Sequence, residues 1–217
     1  EDCHRRYCAR IKQYTGINRM WIIRNSQAVG NLLKELNSRK RARNIATYDF
    51  ATLYTSIPHS KLKTALRWVV EKAYAGVNLK FITIYGKTAT WTKSASKNRL
   101  SFDCNTLIDS IEWLIDNVYV TFAENLFRQV IGIPMGTDCA PFLANLFLYY
   151  YEFAWLGRMS TSKYFHIAHK FNKCCRYIDD LLCFNNDHLM LEYMLDIYPE
   201  ELVLKLANDS QLNSPFL

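Results

Sequence analysis

No C-x-x-C pair, internal repeat or low-complexity tract occurs in the 217 residues. The first absence removes the commonest zinc and dithiol frameworks, and the second removes repeat architectures. The third, with 50% apolar residues, removes a disordered chain. Long hydrophobic runs are missing too. The most apolar stretch, Phe142 to Leu156, is broken by Asn145 and Glu152. It is too short to span a bilayer and reads as a buried helix, so no membrane partner is expected.

Acidic residues are the minority, 20 against 27 lysines and arginines, for a net charge of +7. That balance favours a polyanionic partner. Arg39-Lys40-Arg41 and Arg43 form one basic run, and Lys87, Lys93, Lys97 and Arg99 populate a Thr/Ser-rich stretch. Either run also fits a solvated loop. The seven cysteines are an odd set, and Cys174, Cys175 and Cys183 lie in predicted strands as small buried hydrophobes. Cys3, His4 and Cys8 have no second ligand pair nearby for zinc. This usage points to a reducing, intracellular compartment, cytoplasm or nucleus. No signal peptide is visible, and the missing initiator methionine points to a cut or processed N-terminus.

Periodicity orders the elements. Ser26 is placed to cap a helix presenting Val29, Leu32, Leu33 and Leu36. A strand over 45–50 follows, then a helix opened by Pro58 and Ser60 with Leu62, Ala65, Leu66, Val69, Val70 and Ala73 inward. Residues 81–103 read as short strands or loop, 105–117 as a helix, and 119–131 as a hairpin about Ala123-Glu124-Asn125. After the apolar helix come a hairpin over 174–184 with Asp179-Asp180 at its tip, a helix over 188–197 and a strand over 202–206. Leaving aside 60–131, the order is strand, helix, two strands, helix, strand, the split βαββαβ arrangement. Such a sheet brings Asp49 next to Asp179.

Aspartate is depleted from strands, so Tyr48-Asp49-Phe50 and Tyr177-Ile178-Asp179-Asp180, both set among β-formers, need a reason. Asp-Asp is a good turn. The chemical alternative is a pair of divalent ions, held by clustered carboxylates, that serve in-line phosphoryl attack. Mg²⁺ prefers such hard oxygen ligands. Asp49 and Asp179 are the expected ligands, with the Phe50 carbonyl and Asp180 beside them. Asp103, Asp109, Asp116 and Asp138 lie in loops or on the outer side of a helix pattern.

Residues 48–58, Tyr-Asp-Phe-Ala-Thr-Leu-Tyr-Thr-Ser-Ile-Pro, resemble the first catalytic motif of reverse transcriptases, most closely the Penelope-like retroelement group. Gln129 with residues 132–137, Gly-Ile-Pro-Met-Gly-Thr, then Ala140-Pro141 and residues 144–146, is similar to the next block, and Tyr177-Ile178-Asp179-Asp180 to the third. Together they cover roughly residues 24–210.

The resemblance implies an α+β right-hand polymerase, with a ferredoxin-like βαββαβ palm (44–59 and 132–217) and fingers (1–43 and 60–131). A thumb is absent or outside the chain. It implies RNA-directed DNA synthesis from dNTPs on an RNA template and DNA primer, with two Mg²⁺ ions, or Mn²⁺. Asp49, Asp179 and Asp180 would be catalytic. Tyr54 would exclude a ribose 2′-hydroxyl, and Phe50, Gln129, Met135 and Gly136 would surround the nucleotide. Arg24, Arg39, Lys40, Arg41 and Arg43 would contact nucleic acid. Met135 stands where many retroviral relatives have glutamine. A telomerase-like enzyme, a viral RNA-dependent RNA polymerase and an inactive nucleic-acid-binding relic are the alternatives.

Overall fold

The computed structural model describes residues 1–39, 43–133, 135, 137–186 and 188–211, with backbone alone for 208–211. In chain order the elements are α1 (Asp2–Thr15), α2 (Gln27–Ser38), β1 (Asn44–Phe50), α3 (Leu53–Ser56), α4 (His59–Ala75), β2 (Phe81–Tyr85), β3 (Thr88–Thr92) and β4 (Ser101–Phe102). There follow α5 (Cys104–Asp116), β5 (Tyr119–Phe122), β6 (Asn125–Arg128), α6 (Ala140–Ser160), α7 (Phe165–Lys170), β7 (Cys174–Tyr177), β8 (Asp180–Phe184), α8 (Leu189–Ile197) and β9 (Leu204–Gln211). The fold is mixed α+β with antiparallel sheets.

The main sheet has the order β7-β8-β1-β9, and each neighbouring pair is antiparallel. One face of β1, carrying Ala46, Tyr48 and Phe50, is buried against α6 and α8 with Leu181 and Cys183 of β8. The opposite face carries Asp49 and Thr47. Alternation along the strand therefore separates core from chemistry, because successive side chains point to opposite faces. Next to Asp49 the β1–β9 register shifts between Thr47 and Tyr48, a bulge of the kind that re-aims side chains near sites.

The apolar run expected around Phe142–Leu156 is the 21-residue helix α6, with proline in its first turn. Leu143, Ala144, Phe147, Leu148, Trp155 and Leu156 are buried. No helix among the described residues is long and apolar enough to cross a membrane. Cys174, Cys175 and Cys183 are buried free thiols.

Three helices were not legible. The polar sequence of α1 hides its packing face: His4 spends its ring nitrogens on the Tyr149 hydroxyl (3.1 Å) and the Val69 carbonyl (2.8 Å). Cys8 contacts the same hydroxyl at 3.3 Å, so these two residues serve the core. Helices α3 and α7 are too short to show a period. Residues 81–103 form a three-stranded sheet of order β3-β2-β4. Asp103 caps α5, accepting from the Thr106 N–H at 2.8 Å, and Asp116 pairs with Lys63. The last strand starts later than expected and runs further, to Gln211.

Candidate active site

The register of β1 on β8 sets Asp49 directly opposite Asp180. The sequence points instead to Asp179 as its neighbour, with Asp179-Asp180 at the tip. In the hairpin Tyr177 pairs with Asp180, so the two-residue turn is Ile178-Asp179. One residue of register decides which carboxylate faces Asp49. Asp179 stays close: its charge and that of Asp49, after partial desolvation, raise the Asp180 carboxyl above its ordinary range. Desolvation and then the Asp179 charge also raise the Tyr54 hydroxyl.

The turn is strained. Ile178 has φ +57°, and a β-branched residue there is an outlier costing about 1–3 kcal/mol. Arg176 holds it. This side chain is wholly buried, and its Nη1 donates to the Ile178 carbonyl at 2.9 Å and to Asn145 Oδ1 at 2.7 Å. Nε donates to Glu152 Oε1 at 2.6 Å, and Nη2 to Glu152 Oε2 at 3.2 Å and the Asn145 carbonyl at 3.1 Å. All five guanidinium donors are thereby used. Tyr198 donates to Glu152 Oε1 at 3.0 Å, and its ring meets that of Phe50 edge-on at 4.9 Å. One buried network thus links the residue after Asp49 to the residue before Asp179.

Asn145 and Glu152 are the two polar interruptions of the apolar run. Seven residues apart, they share one face of α6. That spacing, with an arginine just before Tyr177, was the available signal for the network.

A second contact fixes Tyr54. The Ile133 N–H donates to the Tyr54 carbonyl at 2.7 Å, and the Gly132 N–H to the Ile57 carbonyl at 2.8 Å. Gly132 has φ +85°, and a Cβ there would lie 2.3 Å from the Tyr54 carbonyl oxygen. His59 Nε2 donates to the Gly132 carbonyl at 3.0 Å, and Gln129 Nε2 to the Ile131 carbonyl at 2.9 Å. The sequence singled out Gly136 for close backbone approach. Gly136 lies outside the described residues, whereas Gly132 makes such an approach.

The remaining candidates are dispersed. The Phe50 ring is core, which leaves only its backbone for a ligand. Met135 is exposed. Arg24 pairs with Asp2 and, with Tyr177 and Asp180, lines a cleft of about 520 Å³. Arg39 is exposed and pairs with Glu35 at 3.8 Å, and the Arg43 N–H donates to Asn185 Oδ1 at 2.8 Å. Lys40 and Arg41 lie outside the described residues. Among the described residues no group of three His, Cys, Asp or Glu side chains is drawn together tightly enough to hold a metal ion. The donor chemistry still suits a hard divalent cation, since two facing carboxylates, with a third in the adjoining turn, offer hard oxygen donors and gain from a shared positive charge.

No protein-family model matches the chain, and no curated protein matches it. Solved structures do. Apo telomerase from Candida tropicalis superposes with a TM-score of 0.58 at 12% identity, covering 89% of this chain and 33% of that one. The form truncated from its C-terminal domain gives 0.54 at 12%, covering 89% and 37%. Telomerase from Candida albicans, in complex with a TWJ fragment of telomeric RNA, gives 0.55 at 13%, covering 87% and 32%. The chain thus spans about a third of each neighbour and shares the fold of the part it covers.

Proposed function

We propose that the chain is the fingers and palm of an RNA-directed DNA polymerase of the Penelope-like type. The observation that carries this reading is the opposition of Asp49 and Asp180 beside the strained turn that bears Asp179. The sheet order β7-β8-β1-β9 supports a ferredoxin-like palm of residues 44–59 and 132–217, with 1–43 and 60–131 as fingers.

In this reading Asp49, Asp179 and Asp180 hold two Mg²⁺ ions, or Mn²⁺, with the Phe50 carbonyl as a further oxygen donor. Bound there, the ions would supply Lewis acidity to the attacking and leaving oxygens of nucleotidyl transfer. The protein's own part is placement. Arg176 fixes the turn, and Ile133 pins the backbone of Tyr54, with Gly132 bonded to Ile57 beside it; the Tyr54 ring would crowd a ribose 2′-hydroxyl. Gln129 braces that loop, and Met135 and Gly136 border the nucleotide. RNA template, DNA primer and dNTPs are the partners, with Arg24, Arg39, Lys40, Arg41 and Arg43 on the nucleic-acid side. Backbone phosphates would dominate affinity. An intracellular site of action, nuclear or cytoplasmic, accords with the free thiols.

A telomerase-like enzyme is the second reading, favoured by the Candida neighbours. Primer extension on oligo(dT)-primed poly(rA), with Mg²⁺ and then Mn²⁺, tests the class. Metal-dependent synthesis lost in Asp179→Asn supports a polymerase; equal synthesis by the variant sinks the site. Iterated copying of one short template segment would favour the telomerase-like reading.

A further inference from the structure

Cations near the start of α4 are neutralised: Lys61 pairs with Glu201 at 2.6 Å, Lys63 with Asp116 at 2.5 Å and Arg67 with Glu112 at 2.6 Å. Toward its end the pattern stops. Lys72 makes no ion pair among the described residues and lies over the Tyr7 ring at 5.6 Å. Two clefts of about 490 Å³ and 740 Å³ open here and share residues 77–79, forming one groove.

The groove is lopsided in charge. Arg6 and Arg10 of α1, Lys72, Lys80 and Lys93 line it. None of these five pairs with a carboxylate among the described residues. The one carboxylate in its walls among the described residues, Asp103, is engaged in capping α5. Two rings, Tyr7 and Trp91, line the smaller of the two clefts, and Trp91 is braced edge-on by Tyr74 at 4.7 Å. Unpaired cations interleaved with rings match alternating phosphates and bases. A duplex hides its base faces and could not use the rings.

We propose that this groove binds a single strand of nucleic acid at a site separate from the acidic pair. Helix α4 connects the two: His59 at its start touches Gly132, and its 17 residues carry the chain about 25 Å to the groove. That the strand is unpaired template rests on the polymerase reading; the binding itself does not.

Fluorescence anisotropy on the full chain with a labelled oligo(rU) and, separately, a blunt duplex tests this. Arg10→Glu/Lys72→Glu/Lys80→Glu should weaken oligo(rU) at least about tenfold and flatten the salt dependence by about two units of slope, near 0.7 for each phosphate no longer neutralised. The milder Lys72→Gln/Lys80→Gln should move both the same way should the triple variant misfold, and Asp179→Asn should move neither. Parent-like affinity in a folded variant overturns the proposal. Displacement of oligo(rU) by polyglutamate at equal charge also overturns it, in favour of an acidic protein. If the parent extends no primer yet the charge variants lose oligo(rU), the polymerase reading fails and the groove stands.

Discussion

Asp49 and Asp180 face each other across β1 and β8, and partial desolvation, then the charges of Asp179 and Asp49, raise the proton affinity of Asp180. Asp180→Asn relieves that repulsion. It should raise the melting temperature in EDTA at neutral pH while cutting metal-dependent extension at least about a hundredfold, near 3 kcal/mol of barrier. A variant less stable than the parent in EDTA would contradict the electrostatics.

Arg176 and Glu152 form a wholly buried ion pair. Arg176→Ala strands the Glu152 carboxylate and should cost about 3–5 kcal/mol in urea unfolding. Arg176→Met with Glu152→Leu should recover much of the stability but not activity, because nothing would then hold the Ile178 carbonyl. Full activity in a folded double variant would show that the turn holds itself.

Gly132→Ala forces a side chain onto the Tyr54 carbonyl at a left-handed backbone position. We expect a loss of at least about 1–3 kcal/mol, by thermal melt, from the conformation alone.

Tyr54→Val should shift the dNTP/NTP preference toward ribonucleotides by about a hundredfold, the scale of steric discrimination by one pocket wall. Competitive single-nucleotide incorporation measures it. An unchanged ratio would return Tyr54 to a packing role.

Asp103 caps α5, and the Thr106 N–H holds its carboxyl below the usual range. The folded state therefore binds that proton less readily than the unfolded chain. Its stabilisation is present above the unfolded value and is lost as pH falls through the folded one. Asp103→Ala should lower the melting temperature at neutral pH, with the difference shrinking on acidification. A pH-independent difference would exclude the charged cap.

Local pattern carried much of this. The stripe of α4, the apolar run of α6 and the β-formers around Asp49 and Asp179 are legible because helical and strand periods are written in consecutive residues. The hairpin turn was not, since Ile178 is a poor choice for positive φ and Asp-Asp a good one. Nor was Arg176, whose partners come from α6, 31 and 24 residues upstream. Its charge predicts a surface, and only the burial of Glu152 beside it reverses that.

By itself the sequence determined which residue types could do chemistry here and in what order the strands and helices would form. The tertiary structure decided which aspartate faces which, what holds the strained turn, and that cations from α1 and from residues 72–93 share one groove. Register and long-range packing depend on how whole elements meet, and a shift of one residue changes every partner while leaving the local pattern untouched.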